Sequence, residues 1–403
     1  MLNPFLLMAV FYLVVAIVAV LDATLTSLNL IPWFIGLPWL RVHFVTLGVL
    51  TQVAFGVLPA FVAGRRGAAV PATRWDIWVL LNAGLVVLLA GMPSVNATLI
   101  IAGGTLIFTA VTLLILQLRS IGGEQAQGSG SLKFYLTGLV YLLVGILIGT
   151  GLWVGWSEPL RIGVPKEAHI HANSWGFAAL VFAGLLVDLL PALTGKPLAG
   201  RRAINVIFWA MSLGALGLVL GPWLGGNLVV TVPGLVLHIG ATAALLILLA
   251  RNLRTKGLYA RAGAWHLSLS YMWILLPVMM APLIILDVAR VPGVDIEATA
   301  PQALIYGWML QFLYAVTPYF AARWLLRDPA ARLGGNWLSL VTVNLGGALI
   351  WASIFLAGVR GPLHATAYVL LGVSLVAAAW ETGVITLAAL RRAEQGAAQP
   401  SVS

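Results

Sequence analysis

An all-α polytopic membrane protein is the fold class that this sequence predicts, and three observations carry the prediction. The 403 residues are 61% hydrophobic and only 8% charged, with a mean hydropathy of +1.02, whereas water-soluble domains carry about a quarter charged residues. Twelve apolar runs are each long enough to cross a hydrocarbon core of about 30 Å as a helix. The basic residues also segregate by side. Arg41, Arg161, Lys166, Arg290 and Arg360 fall in or near one set of alternating connections, and the other seventeen of the 22 lysines and arginines fall in the other set. A net charge of +10 would suggest nucleic acid in a soluble chain, but here it orients helices, and no nucleic-acid partner is expected. The absence of cysteine excludes disulfides, thiolate metal sites and covalent c-type heme.

The spans lie near 4–24, 42–63, 75–92, 97–118, 133–156, 168–190, 202–220, 227–250, 264–286, 301–324, 338–358 and 363–390. Together they form one transmembrane domain, 1–390, followed by a polar tail, 391–403, that reads as disordered and cytoplasmic. The first span has no basic flank and no small-residue cleavage site, so it reads as a retained helix. With the richly basic side inside, both termini are cytoplasmic in a multi-pass protein of a bacterial-type cytoplasmic (inner) membrane.

Spans 2, 6 and 10 share a pattern: His43-FVTL-Gly48, His171-ANSW-Gly176 and Gln302-ALIY-Gly307. Pro59 and Pro318 follow sixteen residues after His43 and Gln302, and Gln52 and Gln311 follow nine residues after them. A repeat every four spans predicts three four-helix arcs in a pseudo-threefold bundle.

Histidine is the main candidate for chemistry. On a helix of 3.6 residues per turn, His169 and His171 point about 200° apart, so they cannot share one metal and suit two sites, or one site and one structural bond. His169 shares its face with Ala172, Asn173 and Gly176, small residues against which a flat macrocycle can lie. The plainer alternative is that one of the pair caps the helix entrance or meets lipid headgroups. Mid-membrane His238 reads as a ligand, a proton relay or an interhelical hydrogen-bond partner. His364 opens the last span beside Arg360, and His266 reads as an interfacial anchor. Asp188 and Glu381 lie inside spans as proton-relay candidates, with pairing to Lys196, Arg201 or Arg202 as the alternative for Asp188. Gln52, Asn82, Gln311 and Asn344 are expected to bond between helices.

The run HIHANSWGF at 169–177, with Gly184 and the LLP ending at Pro191, resembles the histidine-pair helix of heme-copper oxidase catalytic subunits. It is most similar to that of C-type cytochrome oxidases and the related nitric oxide reductases. Leu40-Arg41-Val42-His43 similarly looks like that family's low-spin heme ligand just after an arginine. The resemblance implies a subunit I-like bundle holding heme b, with His43 and one of His169 or His171 on the iron. It implies an oxidoreductase of respiratory electron transfer, or a protein that binds or reduces dioxygen or nitric oxide. Quinol, cytochrome c or a partner subunit would then supply electrons. Arg41, Arg161 and Arg360 would hold heme propionates through guanidinium forks.

Three departures qualify the likeness. The histidine pair lies on span 6, whereas the family carries it on span 10, where Gln302 stands here. Gly221-Pro222-Trp223-Leu224 occupies the expected place of adjacent copper-ligating histidines, and no tyrosine lies one turn from His171. A complete copper centre is therefore not expected, although His238 and His364 remain as metal candidates. The chain reads as a short, divergent relative, similar to the NnrS-like heme proteins of nitric oxide metabolism. Two rival classes are a proton-coupled secondary transporter using Asp188, Glu381 and His238, and an assembly factor that handles heme or metal transiently.

Overall fold

A computed structural model describes residues 3–32, 37–122, 130–286, 288 and 291–398. Arg290 and the last five residues of the chain lie outside them. The described residues contain helices and no strand, and a helix lies over every apolar run. They are α1 (Pro4–Ser27); α2, made of Leu37–His43, a π-helical Phe44–Leu50 and Thr51–Arg66; α3 (Trp75–Gly91); α4 (Ala97–Ser120); and α5 (Leu132–Val154). Then come α6, made of Pro165–His171, a π-helical Ala172–Ala178 and Ala179–Thr194; α7 (Arg201–Trp223); α8 (Leu228–Thr255); and α9 (Ala262–Ile285). Next, α10 runs through Gly293–Ala303, π-helical Leu304–Leu310, Gln311–Phe320 and π-helical Ala321–Leu325, followed by α11 (Trp337–Phe355) and α12 (Arg360–Ala398).

Among the described residues ten helices are long and apolar enough to cross a membrane, and the apolar α3 is shorter at 17 residues. A multi-pass membrane protein follows, because only helices or closed barrels satisfy their backbone groups inside hydrocarbon. The polar tail differs from expectation: α12 continues as helix to Ala398. Asparagine starts four of the helices. The side chains of Asn3, Asn96, Asn227 and Asn336 accept backbone N–H bonds in the first turns of α1, α4, α8 and α11, donors that no intrahelical carbonyl can reach.

The helices group into two compact units, Met1–Gly56 with Gly257–Ser403, and Val57–Lys256, with the boundary inside α2. In the second unit, α3 and α4 meet at Gly84, where an added Cβ would lie 2.6 Å from Ile107 and 3.0 Å from the Gly103 carbonyl. The pair α7 and α8 repeats this contact: a Cβ on Gly214 would lie 2.7 Å from the backbone nitrogen of His238 and 2.9 Å from the Gly234 carbonyl. In α5 and α6 the Tyr141 ring covers Gly176 so closely that a Cβ there would lie 2.3 Å from it.

The first unit contains the same two kinds of contact. A Cβ on Gly346 of α11 would meet Leu371 at 2.8 Å and the Ala367 carbonyl of α12 at 3.0 Å. Gly48 of α2 lies under the ring of Tyr12, and Gly307 of α10 under that of Trp273, with hypothetical Cβ contacts of 2.9 and 2.5 Å. Three times, at intervals of roughly 130 residues, an aromatic ring from one helix sits on a glycine in a π-helical segment of the next. A small-residue hairpin follows it each time. Glycine is needed because helices in lipid associate by close van der Waals packing, and a side chain at these points would hold them apart.

Candidate functional site

In the second unit, α6 carries both members of the histidine pair, and each is fixed by a different neighbour. His169 Nδ1 lies 2.8 Å from the Gly145 carbonyl of α5, with its ring against Gly149 and Asn173 Nδ2 3.3 Å from the same nitrogen. His171 Nδ1 lies 2.6 Å from the Leu218 carbonyl of α7. A carbonyl can only accept, so Nδ1 carries the proton in both rings and the lone pair sits on Nε2. Opposite-facing imidazoles therefore engage α5 and α7 separately, as the spacing predicts.

His238 is 2% exposed. Its Nε2–H donates to the Trp175 carbonyl at 3.2 Å, and its Nδ1 accepts from the Thr242 hydroxyl at 3.3 Å. The bond to the Trp175 carbonyl of α6 is an interhelical one. Asp188 has a partner on each oxygen: it accepts from Arg65 Nε and from the Tyr135 hydroxyl, each at 2.6 Å. Its ionic partner is Arg65 from the end of α2, in place of the expected Lys196, Arg201 or Arg202. Arg161 lies exposed in a turn with a positive φ of 51°.

In the first unit, His43 Nδ1–H donates to the Trp39 carbonyl at 2.8 Å, and the two rings stack with centroids 4.2 Å apart. Arg41, 9% exposed, lies 3.5 Å from Asp22 and 5.5 Å above the Tyr368 ring. Its carbonyl accepts from Tyr306 at 3.3 Å, and its buried Nε has no partner among the described residues. Gln302, where α2 and α6 carry histidine, accepts from the Tyr368 hydroxyl.

The remaining candidates in this unit are held by protein groups. The Ser353 hydroxyl donates to the Ile350 carbonyl, so His364 Nε2–H donates to it, at 2.7 Å. Arg360 pairs with Asp295 at 3.0 Å. Glu381 accepts the Gly335 backbone N–H at 2.9 Å. His266 is fully buried and not at an interface as expected; it lies 3.0 Å from Ser339, the residue that closes the α11 capping box. Asn344 bonds between helices as expected, accepting from Trp273 Nε1 at 2.8 Å.

Sequence reasoning missed Arg65, Tyr135 and Tyr368. In the sequence Arg65 is only one of the residues of the basic side, and the two tyrosines sit in apolar runs without any motif. Among the described residues no group of three or more histidine, aspartate or glutamate side chains comes together as a metal site. Comparison with known protein families and with curated proteins finds no match.

Proposed function

We propose that this chain is a membrane b-type heme protein, with His43, His169 and His171 as the iron-ligating residues, acting in respiratory electron transfer or in the binding or reduction of dioxygen or nitric oxide. One observation carries the reading: all three imidazoles give their Nδ1–H to a backbone carbonyl. That bond sets the tautomer and ring orientation in which Nε2 ligates a metal, and raises the ligand's basicity. The donor set suits heme in a second respect. The partnerless Nε of buried Arg41 is the kind of group that a propionate carboxylate satisfies.

The bound heme would supply one-electron redox chemistry or an axial position for a diatomic gas; the chain supplies imidazoles, a cation and a dry helical surround. The proposal includes twelve spans with both termini cytoplasmic in a bacterial-type inner membrane. It also includes three four-helix repeats about a pseudo-threefold axis, supported by the recurring ring-on-glycine and hairpin contacts. Quinol, cytochrome c or a partner subunit is the electron donor. Copper is not part of it, and His238, with both nitrogens engaged, serves as a helix-to-helix bond. The transporter reading has less support, because Asp188 is engaged by Arg65 and Tyr135 and His238 by Trp175 and Thr242.

The test is the visible spectrum of the detergent-purified protein, oxidised and dithionite-reduced, after expression with ample heme supply. A Soret band whose colour is fully extracted by acidified acetone is expected. A folded, colourless protein overturns the reading.

A further inference from the structure

The ends of α6 and α8 and the stretch after α6 line a cavity of about 140 Å³, formed by Thr194, Lys196, Arg251, Asn252, Thr255 and Lys256. It lies wholly within the second unit. Three of its six lining residues are cations, none of its lining residues is acidic, and none of the three cations forms an ion pair among the described residues. Its neutral groups are already committed. Thr194 Oγ1 donates to the Leu190 carbonyl at 2.7 Å, Thr255 Oγ1 to that of Arg251 at 2.7 Å, and Asn252 Nδ2 lies 3.1 Å from the Leu198 carbonyl and 2.8 Å from that of Leu248.

Those bonds hold the walls in place, and the Asn252 bridge ties α8 to the stretch that follows α6. What is left uncompensated is positive charge. Lys196, Arg251 and Lys256 gain something from the negative ends of the two helices, but a helix end disperses about half a charge and cannot neutralise three cations. The pocket lies at the last turns of α8, which follow the buried Leu245 and Leu249 and include the buried Leu253. A ligand that is anionic at one end and apolar at the other fits that position.

We propose that this pocket binds the phosphate of an anionic phospholipid headgroup. The Arg251 guanidinium fork and the two ammonium groups neutralise the phosphate diester, and the acyl chains run along the exposed face of α8. Basic pockets between membrane helices recognise anionic headgroups by this combination of charge and depth. Free phosphate offers the same charge without the chains, so the experiment separates the two sources.

The full-length protein in detergent micelles is titrated with phosphatidylglycerol, phosphatidylcholine or inorganic phosphate, and bound lipid is counted by native mass spectrometry. Phosphatidylglycerol should remain bound where phosphatidylcholine does not. Its apparent affinity should fall at least about tenfold in the triple variant Lys196→Gln, Arg251→Gln, Lys256→Gln. A control removing three exposed cations elsewhere, Arg261→Gln, Arg332→Gln and Arg391→Gln, should keep it. Both variants are first required to elute at the wild-type volume in size exclusion. Equal losses in the two triple variants, or no preference for phosphatidylglycerol, would overturn the proposal, as would displacement of the lipid by inorganic phosphate at equal concentration.

Discussion

Helices α6 and α10 share a backbone design but differ in their chemistry. Each carries a seven-residue π segment and a glycine covered by an aromatic ring from the preceding helix. That ring is tied onward, Tyr141 to the Ser212 carbonyl of α7 and Trp273 to Asn344 of α11. At the start of the shared pattern, however, α6 presents His171 with its Nδ1 anchored, whereas α10 presents Gln302 bound to Tyr368. The difference teaches that the repeat specifies how helices pack, while reactive groups are placed on only some copies of it. Substitutions in matched positions test how far that separation goes.

The largest effect is expected for the ligands. His43→Ala, His169→Ala and His171→Ala should each lower the heme-to-protein ratio several-fold at equal folded yield, while Gln302→Ala leaves it near wild type. His266→Ala, which removes a buried ring bonded to Ser339, should lower yield without changing the ratio in the protein that folds. If Gln302→Ala bleaches the protein as much as His171→Ala does, the two helices are chemically equivalent and the distinction drawn between them is wrong.

Next in size is the buried carboxylate. Asp188→Ala strands the Tyr135 hydroxyl and the Arg65 guanidinium in the second unit. Removing one partner of a buried pair costs about 3–5 kcal/mol; with Arg65 38% exposed, water recovers part of that, and about 2 kcal/mol is expected. Asp76→Ala, which breaks the exposed pair with Arg74, should cost less than about 0.5 kcal/mol. Thermal denaturation in one detergent measures both, and equal shifts would mean that Asp188 is not structurally committed.

Much of this was legible in the sequence, for physical reasons that can be named. Helix positions follow from apolar length alone, because a 20-residue apolar run has no other stable state in a bilayer. The shared spacing of His43 to Gly48, His171 to Gly176 and Gln302 to Gly307 falls on three of the four π segments among the described residues, since the glycine that admits a ring is a composition signal. The opposed directions of His169 and His171 follow from helical pitch. Partners separated by long stretches of chain were not legible. Arg65 reaches Asp188 across 123 residues, and Lys196, Arg201 and Arg202 were equally plausible until packing chose. His266 looked interfacial because it stands beside Trp265 near a basic turn. It is buried because Gly335, with a positive φ of 83°, lets the chain fold over its ring.

A third comparison concerns the covered glycines. Gly176→Ala and Gly307→Ala each place a methyl group into an aromatic ring, and overpacking of this kind costs about 1–3 kcal/mol. Gly240→Ala, with nothing within 4 Å of its Cβ position, should instead be neutral, or stabilising by up to about 1 kcal/mol, through helix propensity. Denaturation midpoints that fall for Gly176→Ala and not for Gly307→Ala would mean that the shared geometry does not reflect shared packing.

The smallest effect separates the onward ties of the two rings. Tyr141 donates to a helical carbonyl, that of Ser212 at 2.8 Å, which also lies in the path of α7's own hydrogen bonding. Tyr141→Phe therefore leaves no acceptor stranded and should cost about 1 kcal/mol or less. Trp273 donates to a side chain, so Asn344→Leu removes the acceptor and leaves the indole N–H of the 6% exposed Trp273 without it. That loss carries the desolvation cost of the unpaired donor, about 1–3 kcal/mol. The indole's fluorescence should also shift, because its hydrogen-bond partner is gone while the ring still covers Gly307. A larger penalty for Tyr141→Phe than for Asn344→Leu would reverse the ordering. It would show that the α6 arm relies on its tie more than the α10 arm does, and that the copy bearing the histidines is also the more tightly held.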